Sequence, residues 1–195
     1  MFEDLFEQMN TIELEIDQKH KLFIDRTNLH INYVKQAAAE IVNVYPEYVA
    51  LLTQVELHDA SKFEEPEKGP YIELTWQKKH GNTISDEVQQ NIVQATLHHI
   101  KNNSHHPEYH LEDKERANLK STNRDESIEC IDATLMPDVD IVEMVADWQA
   151  MSVELCTNTS REWYNKVKNV RWHYSEHQDE LIDKLLKVFE EKRDE

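Results

Sequence analysis

The chain has 195 residues, enough for one well-buried core and short for two, so a single domain over 1–195 is expected. Two glycines and five prolines leave little material for tight turns and hairpins; with long apolar-periodic runs this points to an all-α helical bundle, and four tryptophans argue against disorder. A formal net charge of −18 repels nucleic-acid backbones and anionic membranes, although a local cation or metal can reverse the potential inside a cleft.

At the N-terminus, Phe2, Leu5, Phe6 and Met9 share one side of a short amphipathic turn or helix. From Thr11 to about Asn43, the apolar positions Ile12, Ile16, Phe23, Ile31, Val34, Ala38, Ile41 and Val42 predict one long helix, or two with a break near Asp25–Asn28. Pro46 disfavours a helical Tyr45 and should interrupt the run. A second helix is expected from Glu47 to Leu57, ending at His58-Asp59. Pro66, Gly69 and Pro70 make Ser61 to Tyr71 an ordered loop or a set of short turns, followed by a short helix from Ile72 to His80 and a turn at Gly81-Asn82. Thr83 and Ser85 are candidate N-caps for a helix running through Val88, Ile92, Val93, Ala95 and Leu97 to about Lys101, where Asn102-Asn103-Ser104 ends it.

Pro107 separates the next residues from a segment over His110 to Ser121, and Thr122 to Glu126 reads as exposed. A short helix is expected from Ser127 to Ala133. Pro137 and Asp138 open a helix through Val139, Val142, Val145, Ala146 and Trp148 to about Val153. Further helices are expected from Thr159 to Val170 and from Ser175 to Phe189, the latter amphipathic through Leu181, Leu185, Leu186 and Phe189, with Glu190–Glu195 a charged, frayed tail.

Cys130 and Cys156 form no disulfide framework and are expected as buried free thiols in a reducing compartment. No segment approaches the roughly 18 apolar residues of a membrane span, and the acidic start MFEDLFEQMN lacks the basic region of a signal peptide. A cytoplasmic setting, in a bacterial cell or a phage-infected host, is the expectation. Exposed faces on the first and last helices would suit a homodimer and intramolecular packing equally.

Seven of the eleven histidines fall between His58 and His110. Within that stretch stand His58-Asp59 and the doublets His98-His99 and His105-His106. Helices brought together in a bundle can build a metal site from such residues, and imidazole with carboxylate suits borderline or hard divalent ions. Adjacent residues on a helix do not share a face, but at a helix end the backbone can turn both His58 and Asp59 toward one ion. Alone, the pair would be a surface His beside a capping Asp. One member of each doublet is expected to point into a narrow site, with His99 and His106 preferred and His98 and His105 as alternatives. The other members would contact substrate or hydrogen-bond a ligand.

Downstream, Asp147 lies on the helix that opens at Pro137, with Glu143 one turn earlier on the same face, placed to hydrogen-bond a ligand imidazole. Trp148 should pack and fix the rotation of that helix. Upstream, His30 gains meaning because a core site needs ligands from several helices. Lys62 would hold a phosphate or pair with Glu64 or Glu65; Glu67 would orient a ligand or act as general base. Tyr71, Trp76 and Tyr109 would stack on a base or pack.

The segments HINYVKQA from His30, ELHDASKFEEPEKGPY from Glu56, ATLHHIKNNSHHPEYH from Ala95, MPDVDIVEMVADWQAM from Met136 and REWY from Arg161 resemble the HD-domain superfamily of metal-dependent phosphohydrolases. They are closer still to an uncharacterised bacterial and phage branch of it, a domain of unknown function. The resemblance covers about 29–164 and implies an HD-like bundle. It also implies that His30, His58, Asp59 and Asp147 bind a primary ion, while His99 and His106 fill the places of the added histidines in binuclear members. Superfamily members with a Glu three residues beyond the Asp use it near the attacking water; this chain has Lys62 there.

The function implied is metal-dependent hydrolysis of a small phosphate ester or nucleotide, with one or two divalent ions drawn from Mn, Fe, Co, Ni, Zn or Mg. Asp59, Lys62, Glu67, His98 and His105 are the candidate catalytic groups. The competing expectations are a nucleotide- or metal-binding protein without turnover, and a helical interaction protein with a structural metal.

Overall fold

The computed structural model describes residues 2–113 and 130–191, with side chains from residue 12 onward. Helix α1 (Phe2–Val44) runs unbroken for 43 residues, about 65 Å at roughly 1.5 Å per residue. Of the one-helix and two-helix expectations, the single helix is the one found, and it includes the expected N-terminal turn. It stops at Tyr45, ahead of Pro46, as proline requires.

The expected helix over 47–57 is instead a chain of short pieces. A 3-10 turn at Pro46–Tyr48 leads into α2 (Leu51–Gln54) and a second 3-10 turn at Val55–Leu57. A third 3-10 turn covers Ala60–Phe63 before α3 (Lys68–His80), which starts four residues earlier than Ile72 because Pro70 is tolerated in a first helical turn. Gly81 closes α3 in the left-handed conformation (φ 66°), which glycine adopts without a Cβ penalty. Helix α4 (Asp86–Asn102) begins on Ser85, whose hydroxyl accepts from Val88 N–H, and ends at an extended Asn103.

A 3-10 turn at Pro107–His110 follows. Most of the expected 110–121 segment, the polar run 122–126 and residues 127–129 lie outside the described residues. Where a helix was expected to reach Ala133, Ile131–Asp132 forms β1, paired in parallel with β2 (Trp172–His173). This two-stranded piece is the one departure from an all-helical chain among the described residues.

Helix α5 (Asp138–Leu155) is buried almost all round, as a central helix must be. Next come α6 (Ser160–Val167) and α7 (Glu176–Glu191). Thr159 and Glu162 close a capping box on α6, each side chain bonded to the other's backbone N–H.

The result is a single-domain helical bundle in which α1 packs most extensively on α5, with α7 covering α5 from another side and α3 lying between α1 and α4. Val34, Ala38 and Ile41 of α1 meet Val142, Val145 and Ala146 of α5 in one core, joined by Leu181, Leu185 and Phe189 of α7. Trp148 packs as expected, its ring stacked 6.0 Å from Trp172. Cys130 and Cys156 are both exposed, against the expectation of buried thiols. Cys156 sits in the left-handed residue that ends α5, at the surface.

Candidate metal centre

The centre starts from a backbone device. His58 is extended (ψ 130°) where the second 3-10 turn ends, and Asp59 is left-handed (φ 58°) where the third begins. Successive residues in such different conformations can aim both side chains at one point, which two helical neighbours cannot. Asp and Asn tolerate the left-handed region better than other residues with a Cβ.

Around Asp59, which is 1% exposed, four imidazoles converge by Nε2. His30 and His58 approach Oδ2 at 3.7 and 3.8 Å, while His99 and His105 approach Oδ1 at 3.2 and 3.8 Å. Asp147 Oδ1 joins the first side, 3.1 Å from His30 Nε2 and 3.9 Å from His58 Nε2. On the second side His106 completes a group with His99 and His105, whose ligand atoms all lie within 4.8 Å of one another. The same limit holds for His30, His58 and Asp147, and for His58, Asp59 and His105.

Carboxylates stand behind three of these rings and hydrogen-bond two of them. Glu143 Oε1 accepts from His58 Nδ1 at 2.8 Å, Glu67 Oε2 accepts from His99 Nδ1 at 2.9 Å, and Glu154 Oε2 lies 3.2 Å from His30 Nδ1. With Nδ1 turned to a carboxylate, Nε2 is the nitrogen that faces inward, the arrangement that commonly orients metal-ligating histidines. The backing groups are themselves held: Gln54 Nε2 donates to Glu143 at 2.6 Å, and Arg26 Nε donates to Glu154 at 2.8 Å.

The turn that carries His105 and His106 is pinned at both ends. Ser104 Oγ donates to Asp140 at 2.8 Å, and buried Glu108 accepts from Arg171 and from Trp172 Nε1, each at 3.2 Å.

With protons rather than metal among these groups, the electrostatics are those of a dense charge cluster. Burial opposes a charge on His30, but the Asp147 and Glu154 carboxylates outweigh it and raise its pKa to about 9. Burial likewise opposes ionisation of Asp147 and Asp59, yet neighbouring imidazoles hold Asp147 well below the usual carboxylate range, and Lys62 with His58 and His99 does the same for Asp59. Glu143 is brought down to about 2, with His105 and His58 outweighing its burial.

Among the buried atoms at the centre, His30 Nδ1, His58 Nε2 and Asp59 Oδ1 make no hydrogen bond. Unsatisfied buried groups carry a cost that a ligand can remove. The donor set of imidazole nitrogen and carboxylate oxygen fits a borderline or hard divalent ion. The cluster opens onto a cavity of about 580 Å³ lined by His30, Asp59, Lys62, His99, His105 and Asp147 among others.

Of the residues expected from sequence, His30, His58, Asp59, His99, His106 and Asp147 come together. So does His105, and here the expectation of one inward member per doublet fails. His105 and His106 follow an extended Asn103 and precede a 3-10 turn, so helical geometry does not force them apart. For the first doublet, which is helical, the rule holds: His99 points in, whereas the His98 side chain is 39% exposed and bonds Glu67 Oε1 at 2.7 Å. His98 does not line the cavity.

Glu67 is fully buried, with one oxygen on each imidazole of that doublet. Lys62 pairs with Asp59 Oδ2 at 2.5 Å rather than with Glu64 or Glu65. Tyr71 meets His99 edge-on at 6.2 Å and lines the cavity, while Trp76 lies against His80 and Tyr109 against His110. Sequence reasoning missed Glu154. Its signal was there: Glu143, Asp147 and Glu154 recur at four and seven residues along a helix that is otherwise mostly apolar after its first turn.

A model of a family of unknown function, DUF5662, matches residues 19–193, and the chain belongs to that family. No curated protein and no solved structure matched the chain.

Proposed function

We propose that this DUF5662 chain is a metal-dependent phosphohydrolase of HD-like architecture, acting on a small phosphate ester or nucleotide. The observation that carries the reading is the convergence of four Nε2 atoms on the two oxygens of Asp59, with carboxylates behind three of the rings. His30, His58, Asp147 and Asp59 Oδ2 would hold one ion, and His99, His105, His106 and Asp59 Oδ1 a second, with Asp59 between them. Ions bound there would polarise a phosphoryl group and acidify water.

The chain's own groups supply the rest. Lys62 Nζ stands beside Asp59 on the cavity wall, where it would neutralise phosphoryl oxygens as charge builds on them. Glu67, with both oxygens turned to His98 and His99 and no place on the cavity lining, is suited to orienting His99 rather than to taking a proton from water. Of the two candidate bases, Asp59 is then the one on the cavity lining. The order His30, His58-Asp59, Asp147 is that of the HD superfamily, and a helical bundle is compatible with it. No described helix is long and apolar enough to cross a membrane, which fits a cytoplasmic setting.

A structural metal is normally closed by four protein ligands. The cavity of about 580 Å³ reaching this cluster lies in the size range of small-molecule sites and favours a substrate. The test is a panel of nucleotides and phosphate esters with the chain loaded with Mn, Co, Ni or Mg, beside Asp59→Asn. Turnover of at least one substrate that disappears in Asp59→Asn is expected. Undiminished turnover in that variant would sink the assignment, and tight binding without turnover would establish the non-catalytic reading instead.

A further inference from the structure

Four cations line the cavity: Arg26, Lys62, Lys78 and Arg171. Lys62 is committed to Asp59, and Arg171 to Glu108. Arg26 donates from Nε to Glu154 at 2.8 Å, which leaves both Nη groups without an acceptor among the described residues. Lys78 has no carboxylate partner among them at all, and the charge that acts on it most is that of Arg26.

The chain carries 39 acidic residues against 21 Lys and Arg, so a cation without a partner beside a second cation runs against its composition. The surroundings show the contrast. On the same two helices, Lys19 is neutralised by Glu15 and Glu73, each at 3.2 Å. Two neighbouring cations repel; Lys78 is an exposed residue at the cavity's edge, and partial desolvation there together with Arg26 pulls its ammonium below its ordinary value. An anion between them removes that cost.

Their position relative to the metal centre is set by the helices. Arg26 lies four residues before His30 on α1, roughly one helical turn, and the two share Glu154. On α3, Tyr71, Thr75 and Lys78 follow at spacings of four and three and all line the cavity, so they form one stripe leading outward from the centre.

We propose that Arg26 and Lys78 form a second anion subsite at the outer part of this cavity. The substrate then carries two anionic groups in series, a phosphoryl group beside Asp59 and Lys62 and a further phosphate at Arg26 and Lys78. That selects a nucleoside di- or triphosphate, or another short polyphosphate, over a simple monoester. The inference rests on the phosphohydrolase reading for the inner group only.

Calorimetric titration of inorganic phosphate and of linear tripolyphosphate into the Mn-loaded and the chelator-treated full-length chain tests it. Tripolyphosphate should bind the Mn-loaded chain at least tenfold tighter than phosphate. Lys78→Gln should erase most of that advantage and leave phosphate affinity and Mn content as they were. Lys79→Gln makes the same charge change one residue away, on a residue that is exposed like Lys78 but lies outside the cavity lining, and should have little effect. Equal losses in the two variants, or no preference for tripolyphosphate in the parent chain, would overturn the subsite. Mn-dependent tripolyphosphate binding indifferent to Lys78 leaves the metal reading standing without the subsite. Tripolyphosphate binding that needs Lys78 but not Mn does the reverse.

Discussion

His58 donates from Nδ1 to Glu143 Oε1 at 2.8 Å, and neither side chain is more than 4% exposed. Because Gln54 holds the other Glu143 oxygen, the imidazole is fixed in both tautomer and direction. Removing the charge while keeping the shape should therefore weaken metal binding without unfolding the chain. Glu143→Gln is expected to lower metal affinity about 10- to 100-fold, read by competition with a chelator, with an unchanged far-ultraviolet dichroism spectrum. Unchanged affinity would reduce Glu143 to a packing role.

Asp59 serves the backbone as well as the centre. Its φ of 58° is costly for most residues with a Cβ but tolerable for Asn. Asp59→Asn and Asp59→Ala should both lose metal. In the chelator-treated state, however, the Ala variant should be less stable than the Asn variant by about 1–2 kcal/mol, measured by urea denaturation. Equal stabilities would mean that the left-handed turn is not retained in the variants.

The two faces of Asp59 make a prediction about ion count. His99 addresses Oδ1 and His30 addresses Oδ2. If each face holds its own ion, His99→Ala and His30→Ala should each fall from two bound ions per chain to about one, measured by elemental analysis of the purified protein. A parent chain with a single ion, lost in both variants, would show one shared site.

Much of this centre was legible in sequence because helix-borne residues obey a fixed period. Asp147 and Glu143 share a face of α5, and only one member of the helical doublet, with His99 preferred over His98, could point inward. His105 and His106 were misjudged because a helical rule does not apply in an extended turn whose course is set by distant contacts, Ser104 to Asp140 and Glu108 to Arg171. The same limit explains the expected helix over 47–57. Local propensity favours it, but the pieces found deliver Leu51 and Val55 to the core and leave His58 where a turn can begin. Strand β1 was invisible because its partner β2 is about forty residues away.

A last prediction concerns the wall that supports Asp147 from behind. Tyr164 stacks 6.2 Å from Trp148, the neighbour of Asp147, and its hydroxyl donates to Asp179 at 2.6 Å. Burial, then the Asp179 carboxylate, pushes its pKa from 10.0 up to about 12, against the opposing pull of Lys168. Between those two values the folded chain keeps a proton that the unfolded chain releases. Stability must therefore fall as pH rises through that window, and be unaffected by this group below it. Tyr174, also pushed well above its usual value by burial, adds to the slope. Tyr164→Phe should flatten the decline of the urea midpoint from about pH 10 to about pH 12, and the double replacement with Tyr174→Phe should flatten it further. A slope untouched by either change would place the alkaline sensitivity outside this aromatic wall.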